Sequence, residues 1–165
     1  MFRPLTVSLL YTSALFSMSA AAETLPTRKQ LPLSVAMEAV AVCEKSGYRV
    51  TATVMDASGL IKAIAKGDLA PLHTLDSSRG KSYAAVSLGP NFSEPTTSAI
   101  VARVANGPAF SPLQHLPGVF LVPGGVLIKS GDDVVGAIGV GAAPGGDKDE
   151  VCAQAAVAKI ADRLK

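Results

Sequence analysis

The chain has no tryptophan, five phenylalanines and three tyrosines. Its core must therefore be assembled from Ala, Val, Leu and Ile, whose small side chains let backbones come close together. There is no Gly-x-Ser-x-Gly elbow, no His-Glu-x-x-His and no P-loop. Only two histidines, His73 and His115, are present. His73 and Asp76 are spaced for a local pair, but no nucleophile is placed with them, so no catalytic residue is assigned and the chain is not read as an enzyme. Fifteen basic residues face thirteen acidic ones for a formal net charge of +2. The basic residues are scattered, which leaves no electrostatic footprint for a nucleic acid.

Residues 1–22 read as a segment apart from the fold. Arg3 supplies a charged start, Leu5 to Phe16 an apolar run, and Ala20-Ala21-Ala22 a small-residue cleavage site, so Glu23 is the expected mature N-terminus. A retained anchor is the rival, but the run is short for a bilayer span and ends in small residues rather than basic ones. The expectation is a cleaved signal peptide and a periplasmic protein. Residues 23–32 then form an extended leader, and 33–165 a single domain of ordinary size.

The most informative stretch runs from Val119 to Val157. It predicts a three-strand meander followed by a helix. Val126 to Lys129 and Val134 to Ala142 are apolar and β-branched, and Ser130-Gly131-Asp132-Asp133 between them is turn chemistry. Pro-Gly-Gly recurs at Pro123–Gly125 and Pro144–Gly146. Asp147 and Glu150 have capping-box spacing, starting a helix to about Leu164.

Earlier in the chain, Ser34 is placed to cap a helix running to Lys45, which Gly47 ends. Arg49 to Asp56 alternates as a half-buried strand. It turns at Ala57-Ser58-Gly59 and pairs with Leu60 to Lys66. Helical patterns follow over His73–Leu88, stopped by Gly89-Pro90, and over Glu94–Ala105, with Pro95 in its first turn. Asn106 to Gly118 is an irregular proline-rich loop. The order α-β-β-α-α-β-β-β-α implies an α+β fold: a five-stranded antiparallel sheet whose first and last helices cover one face.

Cys43 and Cys152 each fall in a predicted helix. Export favours a disulfide between them, provided those helices lie side by side. The alternative is two buried thiols acting as small hydrophobes.

Five segments in this order resemble the GlcG/HbpS-like haem-binding family: Val54–Gly59 (VMDASG), Arg79–Ala85 (RGKSYAA), Leu121–Val126 (LVPGGV), Val135–Val140 (VGAIGV) and Asp149–Ala155 (DEVCAQA). The resemblance covers nearly the whole mature chain. It implies a profilin-like sheet, self-assembly into oligomers and, in some members, binding of haem or a related tetrapyrrole. Gly80 and Ser82 depart from the family's Arg-x-Lys-Ala run, which predicts a looser helix there.

Imidazole is a common iron ligand, so His115 and His73 are the metal and ligand candidates, with Met55 or Tyr83 as a second axial partner. No Cys-x-x-Cys-His occurs, so any haem is held non-covalently. Lys81 and Arg79, two apart, point to different helix faces. One of them can meet a propionate, and Lys81 is taken as the ligand candidate. The Pro-Gly-Gly turns offer backbone N–H groups to an anion. Gly139 and Gly141 share one strand face, where a helix or a ligand can approach closely.

The functional expectation is a non-catalytic periplasmic protein that binds haem or a related tetrapyrrole, working as a homo-oligomer. The alternative is a small accessory or stabilising subunit of a larger exported redox complex, a membrane-associated quinohaem dehydrogenase, reaching the membrane through that partner.

Overall fold

A computed structural model describes residues 27–165. The signal peptide expected at 1–22 and the first part of the leader lie outside them. The elements are α1 (Leu33–Val42), β1 (Thr51–Asp56), β2 (Ile61–Lys66), α2 (Thr74–Phe92), α3 (Thr97–Val104), α4 (Phe110–Gln114), β3 (Gly125–Ser130), β4 (Asp133–Gly141) and α5 (Gly146–Ile160). A 3-10 turn follows α1 at Cys43–Ser46 and another follows α5 at Ala161–Leu164.

The strands form one antiparallel sheet in the order β2-β1-β4-β3. It has four strands, not five. The missing strand is the first of the expected meander, at Val119–Val122. Its backbone turns to a helix instead: Phe120 N–H donates to the Gly80 carbonyl of α2 at 3.2 Å. Leu121 is buried with Ala84, Leu88 and Ile100. The β3 edge that a fifth strand would have occupied is taken by Pro95 and Thr96. Leu127 N–H donates to the Pro95 carbonyl at 2.9 Å, and Thr96 bridges Val126.

As expected, α1 and α5 cover one face. Leu31, Val35, Ala39, Val54, Ile128, Ile138, Val140, Ala153, Ala156 and Ile160 form the main core between them and the sheet. Cys43, in the 3-10 turn that follows α1, is disulfide-bonded to Cys152 of α5, with Cα atoms 5.7 Å apart. The opposite face is closed by α2. Consequently β1 is buried on both faces rather than half-buried. Its threonines need partners there: Thr51 Oγ1 lies 2.6 Å from Thr74 Oγ1, and Thr53 Oγ1 2.8 Å from Ser78 Oγ.

Ser82 Oγ donates to the Ala137 carbonyl at 3.0 Å, so the departure at Ser82 fastens α2 to the sheet. The glycine at 80 admits the 118–120 segment, since an added Cβ would come 2.7 Å from Phe120 Cβ. The helix is therefore tightly fitted, not loose. At Gly139 an added Cβ would run into the Ser78 carbonyl and Ser82 backbone of α2. Close helix packing explains that glycine.

Helix ends differ from expectation where a tertiary contact outbids a local one. Pro32, not Ser34, precedes α1 as its N-cap, and Ser34 Oγ accepts from Arg163 Nη2 at 3.0 Å. α2 runs through Gly89-Pro90 to Phe92, and Ser93 in the left-handed region closes it. Pro90 lacks the N–H that would bond the Val86 carbonyl, a loss confined to the final turn. α3 begins at Thr97 because Thr96 Oγ1 accepts from Ala99 N–H at 3.2 Å. Part of the proline-rich loop coils into α4.

Candidate functional site

The capping box expected at α5 is not formed. Gly145 is the N-cap, and the two carboxylates of Asp149 and Glu150 turn inward. Asp149 Oδ2 accepts from Lys81 Nζ at 2.6 Å, and Asp149 Oδ1 from Ala143 N–H at 2.8 Å. Both side chains of this ion pair are 4% exposed. Burial raises the Asp149 pKa from its ordinary value, against the opposing pull of the Lys81 bond and charge and the Ala143 and Ala142 N–H groups. Glu150 accepts from Ser98 Oγ at 2.5 Å and from the N–H groups of Ser98 and Gly124, each at 3.2 Å. Thr97 Oγ1 takes the next N–H, that of Gly125, at 2.9 Å. The first Pro-Gly-Gly turn therefore does hold an anion, and the anion is the chain's own Glu150.

This hub stitches α2, α3, β3 and α5 together. It also withdraws Lys81 from the surface, so Lys81 faces neither solvent nor a ligand cleft. Two residues along α2 set it on the sheet side of the helix, where only an ion pair could make its ammonium tolerable.

The opposite flank of α2 is open. Between it, the β1–β2 hairpin and the 117–120 segment run two adjoining troughs. One, of about 510 Å³, is lined by Met55, Gly59, Leu60, Ile61, Arg79, Tyr83, Pro117 and Gly118. The other, of about 350 Å³, is lined by His73, Asp76, Ser77, Arg79, Gly80, Gly118, Val119 and Phe120. Arg79 and Gly118 belong to both. The Arg79 guanidinium sits 3.5 Å from Asp76 Oδ1, both largely exposed, a pairing of little strength in water.

The structure thus separates the residues singled out above. His73, at the N-cap of α2, lines the smaller trough. Met55 and Tyr83 line the larger one together. His115 lines neither. It sits at the C-cap of α4, exposed, with Nδ1 2.6 Å from the Ser111 carbonyl. A carbonyl only accepts, so Nδ1 is the donor of that bond. Arg79, passed over in favour of Lys81, is the cation at the troughs. The i, i+4 spacing of Leu75, Arg79 and Tyr83 was the available signal for that face. Nothing local could have paired Lys81 with Asp149, 68 residues away.

An antiparallel sheet closed by helices on both faces defines a small α+β domain. The chain belongs to the HbpS-like family, whose model, described as haem degrading protein HbpS-like, matches residues 30–158. It is similar to a double mutant of Streptomyces reticuli HbpS, at 32% identity over 85% of this chain and 94% of that one, with a TM-score of 0.73. Klebsiella pneumoniae protein ORFY shares the fold, at 22% identity over 86% of this chain and 98% of that one and a TM-score of 0.74. So does PduOC, solved as a haem complex, at 20% identity over 79% and 94% and a TM-score of 0.66. No curated protein matches the chain.

Proposed function

We propose that this chain binds haem or a related flat tetrapyrrole, non-covalently, in the joined troughs beside α2. The observation that carries the reading is the arrangement around Arg79. Met55, Leu60, Ile61 and Pro117 give apolar surface on one side of it, and Phe120 on the other. Volumes of this order suit a cofactor. His73 and Tyr83 bring donor atoms that can reach a metal, and the guanidinium suits a propionate. Family membership supports the same reading. Bound haem would supply the iron chemistry, and this chain's residues would hold and shield it.

Titrating the full mature chain with hemin should give a saturable visible spectrum. Arg79→Ala and Ile61→Asp should each weaken it, and Lys81 should not be needed for ligand contact. Titration without spectral change rejects the proposal. Following the bound spectrum under an added reductant tests whether the family's haem-degrading description extends to this chain.

Export to the periplasm is part of the proposal, supported by the character of residues 1–22 and by the Cys43–Cys152 bond. A mature N-terminus at Glu23 in protein recovered from the periplasm checks it. Assembly with a second copy is also proposed. Leu60, Ile64, Leu69 and Leu72 are exposed on and beside β2, an edge strand. The same surface favours the second reading, an accessory subunit of an exported membrane-associated quinohaem dehydrogenase. Co-purification of a large dehydrogenase after mild detergent extraction would decide for it, and self-association alone would decide against it.

A further inference from the structure

Resting on that reading, we infer that the protein ligand to the haem iron is the phenolate of Tyr83, not either histidine. Three observations point there. First, the ring is held from both sides. An added Cβ at Gly59 would lie 3.2 Å from Tyr83 Cε2, and one at Gly118 would lie 3.6 Å from Cδ1, on the opposite edge of the ring. Gly59 and Gly118 have φ of +75° and +80°, a region where glycine is at ease and other residues are strained. The hairpin turn and the 117–118 loop therefore clasp the ring by its edges, fixing where the hydroxyl ends.

Second, that hydroxyl is uncommitted. Among the described residues the hydrogen bond at Tyr83 is to its backbone carbonyl, from Ser87 Oγ. No buried side-chain polar atom there lacks a partner, so the phenol oxygen is one that solvent or a ligand reaches. Third, the charges suit it. A ferric porphyrin core carries one net positive charge, which a phenolate cancels. Arg79, one turn before Tyr83 on the same helix flank and in the same trough, is placed for the propionate or for the phenolate itself.

The histidines fit less well. His73 lines the smaller trough and not the one that Met55 and Tyr83 line. His115 lines neither trough and is tied to Ser111. Tyr83 would offer its phenolate oxygen to the ferric iron in place of hemin's water or hydroxide, the phenolic proton leaving to solvent or with the hydroxide as water, with no change of oxidation state.

The test is resonance Raman and visible spectroscopy of the full mature chain loaded with hemin. The wild-type complex should show iron-phenolate vibrations. Tyr83→Phe should abolish them and weaken hemin binding at least about tenfold, given that even residues supporting a metal ligand cost 10–100-fold when changed. Tyr83→His should restore tight binding with an imidazole-type spectrum, which shows that the position, not the fold, was lost in the phenylalanine variant. His73→Ala and His115→Ala should keep the phenolate bands. Hemin bound without phenolate bands, with a spectrum that shifts on changing either histidine, overturns the ligation and leaves the haem reading standing. No hemin-dependent spectrum at all overturns both.

Discussion

Lys81 and Asp149 show how much one residue pair depends on the rest of the chain. Removing one charge leaves the other stranded, and breaking a buried pair costs about 3–5 kcal/mol. Asp149→Asn keeps an acceptor for the Ala143 N–H, so it isolates the charge. Lys81→Met instead strands the carboxyl and should destabilise by about that much, and adding Asp149→Asn should recover much of the loss. Urea denaturation of the two singles and the double checks the cycle, and additive losses would contradict it. The same carboxyl sets a pH dependence. Its folded pKa is raised above the ordinary 3.8, chiefly by burial, so the folded chain keeps that proton to higher pH than the unfolded chain. The stability it contributes is fully present below the ordinary value. It declines as pH rises towards the folded value and is flat above. The wild-type stability relative to Asp149→Asn should therefore fall as pH rises through that window. A difference that grows instead would mean that the Lys81 charge outweighs burial. At this scale the sequence showed that Lys81 and Arg79 diverge. It did not show which one turns inward, because the answer lies in a helix 68 residues later.

Among the elements, strands and helices with strong periodicity were legible, and so was the β1–β2 hairpin. The errors fall where a tertiary partner competes with a local signal. Val119–Val122 has strand composition, but Gly80 offers its carbonyl and Ala84, Leu88 and Ile100 offer a burial site. Asp147 and Glu150 have capping spacing, but Ser98 and Gly124 draw Glu150 away. Gly89-Pro90 reads as a stop, but Pro90 so near the helix end forfeits only one bond. The disulfide was an open choice from sequence, since it depends on α1 lying against α5. It closes a loop with a sequence separation of 109, and the chain-entropy model assigns about 4.7 kcal/mol to a loop of ~100 residues. The Cys43→Ala/Cys152→Ala chain should lose stability of that order in guanidinium denaturation, with near-native circular dichroism at low denaturant. A loss below about 1 kcal/mol would show that the helix pair holds without its bond.

For the whole molecule, one face of the sheet is spent on the α1–α5 core and the other on α2. The ligand surface proposed above is the outer flank of α2, edged by the hairpin and the 117–120 segment. Family resemblance was readable from five short segments. The trough was not, since Met55, Arg79, Tyr83 and Gly118 meet only once the chain is folded. The most direct measurement of the central claim is hydrogen–deuterium exchange of the purified protein with and without hemin. The account predicts slowed exchange at 57–61, 75–83 and 117–120, with the α1–α5 side unchanged. Protection confined to α1, α5 or the β3–β4 turn, with those three segments unaffected, would contradict it.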